Sequence, residues 1–390
     1  MRRTKIVATI GPASREPEVL EPLIDAGVDV ARIGMAHGTL DMHLDTYHRI
    51  RAAGARVGRD VAILIDLPGP KVRCAEFPDG GIVLEANQEL SVVVGTEAST
   101  AEQIAIDYET VVADVEVGDH LAIGDGNVTL EVIGKDADRV IVRTLSSGKV
   151  QGRPGFQIPS DRLRIGTPTP DDRQYIDAFV EADVDMIAVS FVKSADDMRS
   201  VGTHLAPEGP LLVAKIETQA AVKNLDDIID ASDAVMVARG DLGLDFPISE
   251  LPHLQKQIIR SCVARGRPVI TATQMLESMV TSPAPTRAEA SDVANAVFDG
   301  SSAVMLSGET AIGVDPVNVV RTMSRIARRA DEEMDYEAWA EQVAELRMTD
   351  VEGGAASVTD AMTMAAWRAA QELGVENVLC ISGSGFTVRS

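Results

Sequence analysis

Eight short aliphatic runs recur along the chain, at residues 5–10, 28–33, 61–67, 184–191, 211–217, 234–238, 269–273 and 303–307. Each is long enough for one strand. Their near-continuous hydrophobicity, in place of strict alternation, predicts strands covered on both faces, as in a parallel sheet. Between them apolar residues fall at helical spacing, and helices are expected over 171–182, 196–205, 248–265 and 316–330. Thr286 and Glu289 have the spacing of a capping box, which marks a further helix start. From residue 72 to 159 the texture changes. Short alternating segments at 90–94, 120–123, 128–133 and 139–144 are broken by Gly, Asp and Asn, the pattern of a small β-barrel or sandwich.

Eight β/α units with one long β insertion predict an α/β fold, a TIM (β/α)8 barrel with an inserted small β-barrel domain; a doubly wound sheet is the less favoured alternative. The expected division is 1–71 and 160–345 for the barrel and 72–159 for the insert. Residues 346–390 then begin a C-terminal α/β domain and leave it incomplete, with a helix at 358–373 and a strand at 377–381. A single such unit cannot bury its own faces, so further chain or a partner is expected to cover it.

Composition narrows the partners. A formal charge of −24 repels polyanions, and no basic stripe offsets it, so nucleic acid is excluded as a ligand. No apolar run approaches the ~18 residues that would cross a bilayer, and no secretory leader is expected at the start. The three cysteines, Cys74, Cys262 and Cys380, fit neither a disulfide framework nor a zinc site, which points to a reducing, cytoplasmic setting.

Catalytic groups of such barrels gather at the C-terminal ends of the strands. There the chain carries Arg32 and His37, Asp66 and Arg73, Ser190 and Lys193, Lys215 and Glu217, Arg239 and Asp241, Thr271, Thr273 and Gln274, and Ser307 and Glu309. Singly, each has an ordinary explanation: a snorkelling lysine, a turn aspartate, a capping hydroxyl. Their coincidence at one rim is what needs chemistry. Glu217 and Asp241 offer two hard oxygen ligands of the kind Mg²⁺ takes, with substrate and water completing its shell. Lys215 and Arg32 supply fixed cations beside them. Carboxylates for a divalent ion and cations aimed at a transferring group are the parts of phosphoryl transfer, and no Walker loop is present to hold a nucleotide.

These residues lie in long ordered words that resemble the pyruvate kinase family: Arg2 to Ser14 (RRTKIVATIGPAS), Lys215 to Glu217 (KIE), Met236 to Gly243 (MVARGDLG), Ile270 to Met279 (ITATQMLESM), Pro285 to Glu289 (PTRAE) and Met305 to Thr310 (MLSGET). The resemblance covers residues 1 to about 345. It implies transfer of phosphate from phosphoenolpyruvate to ADP, giving ATP and an enolate that is protonated to pyruvate. It implies Lys215 on the transferring group and Glu217 and Asp241 on Mg²⁺, with Mn²⁺ as a substitute. Arg32, Gly240, Asp241 and Thr273 would line the substrate, with Thr273 on the proton path. Arg73, with His37 and Ser307, would serve the nucleotide. A homo-oligomer, at least a dimer through the barrel, is expected.

Two stretches depart from the family pattern. Arg32 to Gly38 reads RIGMAHG, so Gly34 and Ala36 stand where the family has Asn and Ser, whose oxygens help bind potassium. Asp66 to Arg73 reads DLPGPKVR, with Lys71 where potassium-dependent members have Glu. A lysine there repels a monovalent cation and supplies its field, so Lys71, together with Asp66, is expected to replace K⁺. Two alternatives stay open. One is a homologue using the same lysine, Mg²⁺ and enolate on another 2-oxo acid or acceptor. The other is a catalytically weak homologue kept for binding or regulation. Ser382 to Thr387 (SGSGFT) resembles the start of the family's C-terminal phosphate loop.

Overall fold

The computed structural model describes residues 2–124, 126–160, 162–204, 206–350, 358–375 and 378–380. Eight parallel strands close a barrel: Lys5–Thr9, Val30–Gly34, Ala62–Asp66, Met186–Val189, Leu211–Ile216, Ala234–Ala238, Val269–Ala272 and Ala303–Leu306. Neighbours in the chain are neighbours in the sheet, and the eighth strand pairs back onto the first. Every expected run overlaps one of these strands, the second strand ending one residue past its run, at Gly34.

The continuity of those runs has a packing cause. Successive side chains of a strand point to opposite faces. Val7, Leu64, Ala188, Val213, Met236, Ile270 and Met305 fill the barrel's interior. Their chain neighbours, such as Ile6, Ile63, Ile187, Ala214 and Val304, face outward and pack under the surrounding helices. Both faces are therefore dry, and each fully buried Val or Ile contributes roughly 1.5–3 kcal/mol.

The helices Pro170–Glu181, Leu251–Ala264 and Pro316–Glu333 lie where helical spacing placed them. Arg287–Phe298 opens with the reciprocal capping box of Thr286 and Glu289. The helix expected over 196–205 is shorter, Ala195–Arg199, because the chain turns at Ser200 and Gly202 takes a left-handed φ of +73°.

Between the third and fourth barrel strands, a six-stranded mixed sheet is built from Glu89–Val94, Gln103–Ile106, His120–Ile123, Val128–Lys135, Arg139–Thr144 and Phe156–Gln157. A separate antiparallel pair joins Ile82–Leu84 to Gly148–Val150. This insert has its own core, including Phe77, Val92, Ile104, Leu130 and Val142. Its two ends are stitched together: Phe156 N donates to Val72 O at 2.9 Å and Cys74 N to Pro154 O at 2.9 Å.

Past the barrel, helix Tyr336–Asp350 begins with the Arg3 guanidinium over the Tyr336 ring, 3.9 Å from its centre. Helix Val358–Glu372 follows. The expected strand at 377–381 lies outside the described residues except for 378–380, which are in neither helix nor strand; the loop from Ser382 to Thr387 lies wholly outside them. Among the described residues no helix is long and apolar enough to cross a membrane.

Candidate active site

The same two-residue alternation that fills the barrel also builds the site. One step beyond the last aliphatic residue of an inner column the sequence turns polar: Thr9 above Val7, Arg32 above Val30, Asp66 above Leu64, Ser190 above Ala188 and Lys215 above Val213. Parallel register brings these positions to one height, with Arg32 beside Thr9 and Asp66 beside Ala188. All lie at the C-terminal mouth.

Lys215 stands at the centre. Its ammonium is 2.7 Å from Glu217 Oε1 and 3.1 Å from Asp66 Oδ1, and it donates to Ser190 Oγ at 2.6 Å. Ser190 in turn donates to Leu67 O at 2.7 Å, which leaves only its lone pairs for the lysine. Asp66 also holds Arg32, whose Nε donates to Oδ2 at 2.8 Å. Arg32 Nη1 donates to Thr9 Oγ1 at 2.9 Å, and Thr9 donates to Leu306 O at 2.8 Å. The arginine is thereby tied to both the third and the eighth strands. Glu217 Oε2 accepts from the amide of Phe191 at 2.7 Å.

Burial and charge set the protonation states. Burial works against the Lys215 ammonium, but Asp66, Glu217 and Asp241 together outweigh it and raise its pKa. Burial likewise works against an ionised Asp66, yet Arg32 and Lys215 hold its carboxyl below the ordinary 3.8. Glu217 goes the other way. Burial pushes it up and Asp241 adds to that, against the opposing pull of Lys215. A buried carboxylate repelled by a second one is a pair that gains from a shared cation. Each oxygen of Glu217 keeps a lone pair beyond its present hydrogen bond.

A cavity of about 190 Å³ opens here, with Arg32, Lys215, Glu217 and Asp241 on the barrel side and Lys71 and Gln157 toward the insert. Among the described residues no group of three or more His, Cys, Asp or Glu is arranged to hold a metal. Glu217 and Asp241 are two carboxylates on the cavity wall that could hold a divalent ion such as Mg²⁺, which commonly takes one or two carboxylates and completes its shell with substrate and water. Gly34 and Ala36 line the same cavity. A Cβ added at Gly34 would stand 3.7 Å from Arg32 Nη2, so the guanidinium lies beside the bare backbone. Lys71 runs along Gly155, with its Cε 3.1 Å from where a Cβ on that glycine would be.

Apart from Asp241, the other candidates lie around this cavity without lining it. Gly240 and Asp241 belong to the short helix Arg239–Asp245, and Gly240 N donates to Thr273 Oγ1 at 2.8 Å. Thr273 sits at a φ of +66°. Arg73 donates to Ala36 O at 3.1 Å, bridging the insert to the loop that carries His37. Ser307 follows the eighth strand, and its amide donates to Glu309 Oε2 at 2.6 Å. The structure thus brings Arg32, Asp66, Lys71, Lys215, Glu217 and Asp241 to one cavity; His37, Arg73, Gly240, Thr273 and Ser307 stand outside its lining.

The sequence put Ser190 at the rim without a defined role, and gave none to Thr9, Gln157 or the Phe191 amide. Thr9 and Ser190 had a readable signal, since both continue an inner column. Gln157 lies in a two-residue strand that no periodicity marks.

Comparison with known proteins bears on this site. Residues 1–320 match the family model described as pyruvate kinase, barrel domain. The chain is 40% identical over 394 aligned positions to the pyruvate kinase of Bacillus licheniformis, covering 100% of this chain and 66% of that protein. It is 44% identical over 336 positions to the pyruvate kinase of Agrobacterium vitis, covering 86% of this chain and 71% of that one. The fold superposes on the crystal structure of a pyruvate kinase from Cryptosporidium parvum with a TM-score of 0.90 at 34% identity, covering 100% of this chain and 80% of the other. The chain therefore spans about two thirds of the length of the Bacillus relative.

Proposed function

Because the chain belongs to the pyruvate kinase family, we propose that it moves the phosphoryl group of phosphoenolpyruvate to ADP, using Mg²⁺ and needing no K⁺. One observation carries this reading: a buried lysine wedged between Asp66 and Glu217, with Arg32 on Asp66 and Asp241 close by.

In this reading Lys215 and Arg32 take the phosphoryl oxygens. Both are already fixed by Asp66, so little reorganisation is needed as charge moves from the enol ester toward the nucleotide. Glu217 and Asp241 would hold the divalent ion, Mg²⁺ or Mn²⁺, which would supply Lewis-acid charge to the substrate's oxygens. The Gly240 and Thr273 corner borders the carboxylate, and Thr273 passes a proton toward the enolate. Arg73, with His37 and Ser307, receives the nucleotide from the insert side. Lys71 provides at the cavity wall the positive charge that K⁺ would bring, while Asp66 stays engaged with Arg32 and Lys215. Assembly as at least a homodimer belongs to the same reading, and a monomeric mass by light scattering would remove it.

The test is phosphoenolpyruvate and ADP with Mg²⁺, following pyruvate and ATP separately, with and without K⁺ at fixed ionic strength. Equal yields of the two products are expected. Added K⁺ should change turnover by less than about tenfold, a barrier change below ~1.4 kcal/mol. Lys215→Met should lower kcat by on the order of 10²–10³-fold, the loss seen when one charge-stabilising donor is removed. Pyruvate without ATP would favour a different acceptor, which the side-chain oxygens missing at Gly34 and Ala36 make the second reading. Binding without turnover would favour a regulatory homologue.

A further inference from the structure

Thr273 and Gln274 follow each other in the left-handed region, at φ of +66° and +54°. For a β-branched residue this is a steric outlier, and it persists only where the surroundings over-determine it. Here the surroundings are largely one side chain. Arg239 Nε donates to Ala272 O at 3.1 Å and its Nη2 to Thr273 O at 2.6 Å. These two carbonyls flank the φ and ψ of Thr273, so fixing both fixes its backbone. The remaining contacts anchor the guanidinium itself: Nη1 reaches both oxygens of Asp292, at 2.9 and 2.7 Å, and Gln255 Oε1 at 3.3 Å, while Nη2 also meets Met275 Sδ at 2.8 Å. The arginine side chain is only 14% exposed. Its chain neighbour, Gly240, donates its amide to the Thr273 hydroxyl, and that hydroxyl donates to Ala272 O at 2.7 Å.

We infer that Arg239, anchored by Asp292, is a positioning residue that clamps Thr273 in its left-handed conformation and so holds the Thr273 hydroxyl against the amide of Gly240, the chain neighbour of Asp241. It acts through Thr273 and not on the substrate. A planar fork with several donors can grip two carbonyls and a carboxylate together, which the single ammonium of a lysine cannot. The inference rests on the reading of Thr273 as part of the substrate corner.

The experiment combines kinetics and crystallography on the full chain for Arg239→Lys, Thr273→Gly and the double variant. Arg239→Lys is expected to lose on the order of 10²-fold in kcat, the scale of an ångström-sized misplacement, with a smaller change in KM for phosphoenolpyruvate. In its crystal structure Thr273 should have left the left-handed region. Glycine adopts positive φ without a clamp, so adding Arg239→Lys to Thr273→Gly should lower kcat no further. Additive losses, or an unchanged Thr273 φ in Arg239→Lys, would overturn the clamp. Should Arg239→Lys fail to fold, Asp292→Asn, which keeps the guanidinium but weakens its anchor, is read by the same two criteria. If the parent protein turns over no phosphoenolpyruvate, the proposed reaction falls, while the φ of Thr273 in the variant still decides the clamp.

Discussion

Asp66 is a carboxylate with two cations and little water around it. Its folded pKa lies below the ordinary 3.8, since Arg32 and Lys215 outweigh the effect of burial. A lowered acid contributes stability that is present above the unfolded value and lost as pH falls through the folded one. Unfolding free energy measured by urea should therefore fall as the pH drops below about 4, and Asp66→Asn should flatten that part of the profile. An equally steep acid limb in the variant would assign the loss to other carboxylates. Asp66, Arg32, Lys215 and Glu217 were legible because a charged residue closing an aliphatic strand is conspicuous. Ser190 was placed at the same rim without a role and Thr9 was passed over, since hydroxyls at strand ends are common. The left-handed backbone of Thr273 leaves no mark in composition or spacing; only the geometry of its neighbours reveals it.

At the scale of elements, the barrel strands were readable because burial on both faces leaves an unbroken aliphatic run. In the insert, Ile82–Leu84, Gly148–Val150 and Phe156–Gln157 are only two or three residues long, too short for a period to show. The helix start at Thr286 was readable from two residues, and the structure gives it more to do. Glu289 accepts from the Thr286 amide at 2.7 Å and also from the amide and hydroxyl of Ser278, at 2.7 and 2.5 Å. The cap thus ties the helix to the loop after the seventh strand. Thr286→Ala should cost about 1 kcal/mol, the usual loss for an N-cap. Glu289→Ala removes the bonds to both segments and should cost more, read as a lower urea midpoint at unchanged slope. Equal losses would mean that the Ser278 contacts add nothing.

For the whole molecule, the barrel and the insert have separate apolar cores, joined by two lengths of backbone that are hydrogen-bonded to each other. The ends of the insert are so close that a turn can replace it. Exchanging residues 75–153 for about three glycines, a common length for a tight connection, should leave a barrel that unfolds cooperatively but turns over no phosphoenolpyruvate. Failure of that barrel to fold would show that the insert helps hold it together. Gly34, Ala36 and Lys71 share one cavity in this arrangement. In the proposed reading, an ammonium tethered there cannot be dialysed away, so the reaction's throughput is expected to ignore swings in potassium concentration. Exchanging those residues for Asn, Ser and Glu should hand control to a dissolved ion and make the same barrel a salt gauge.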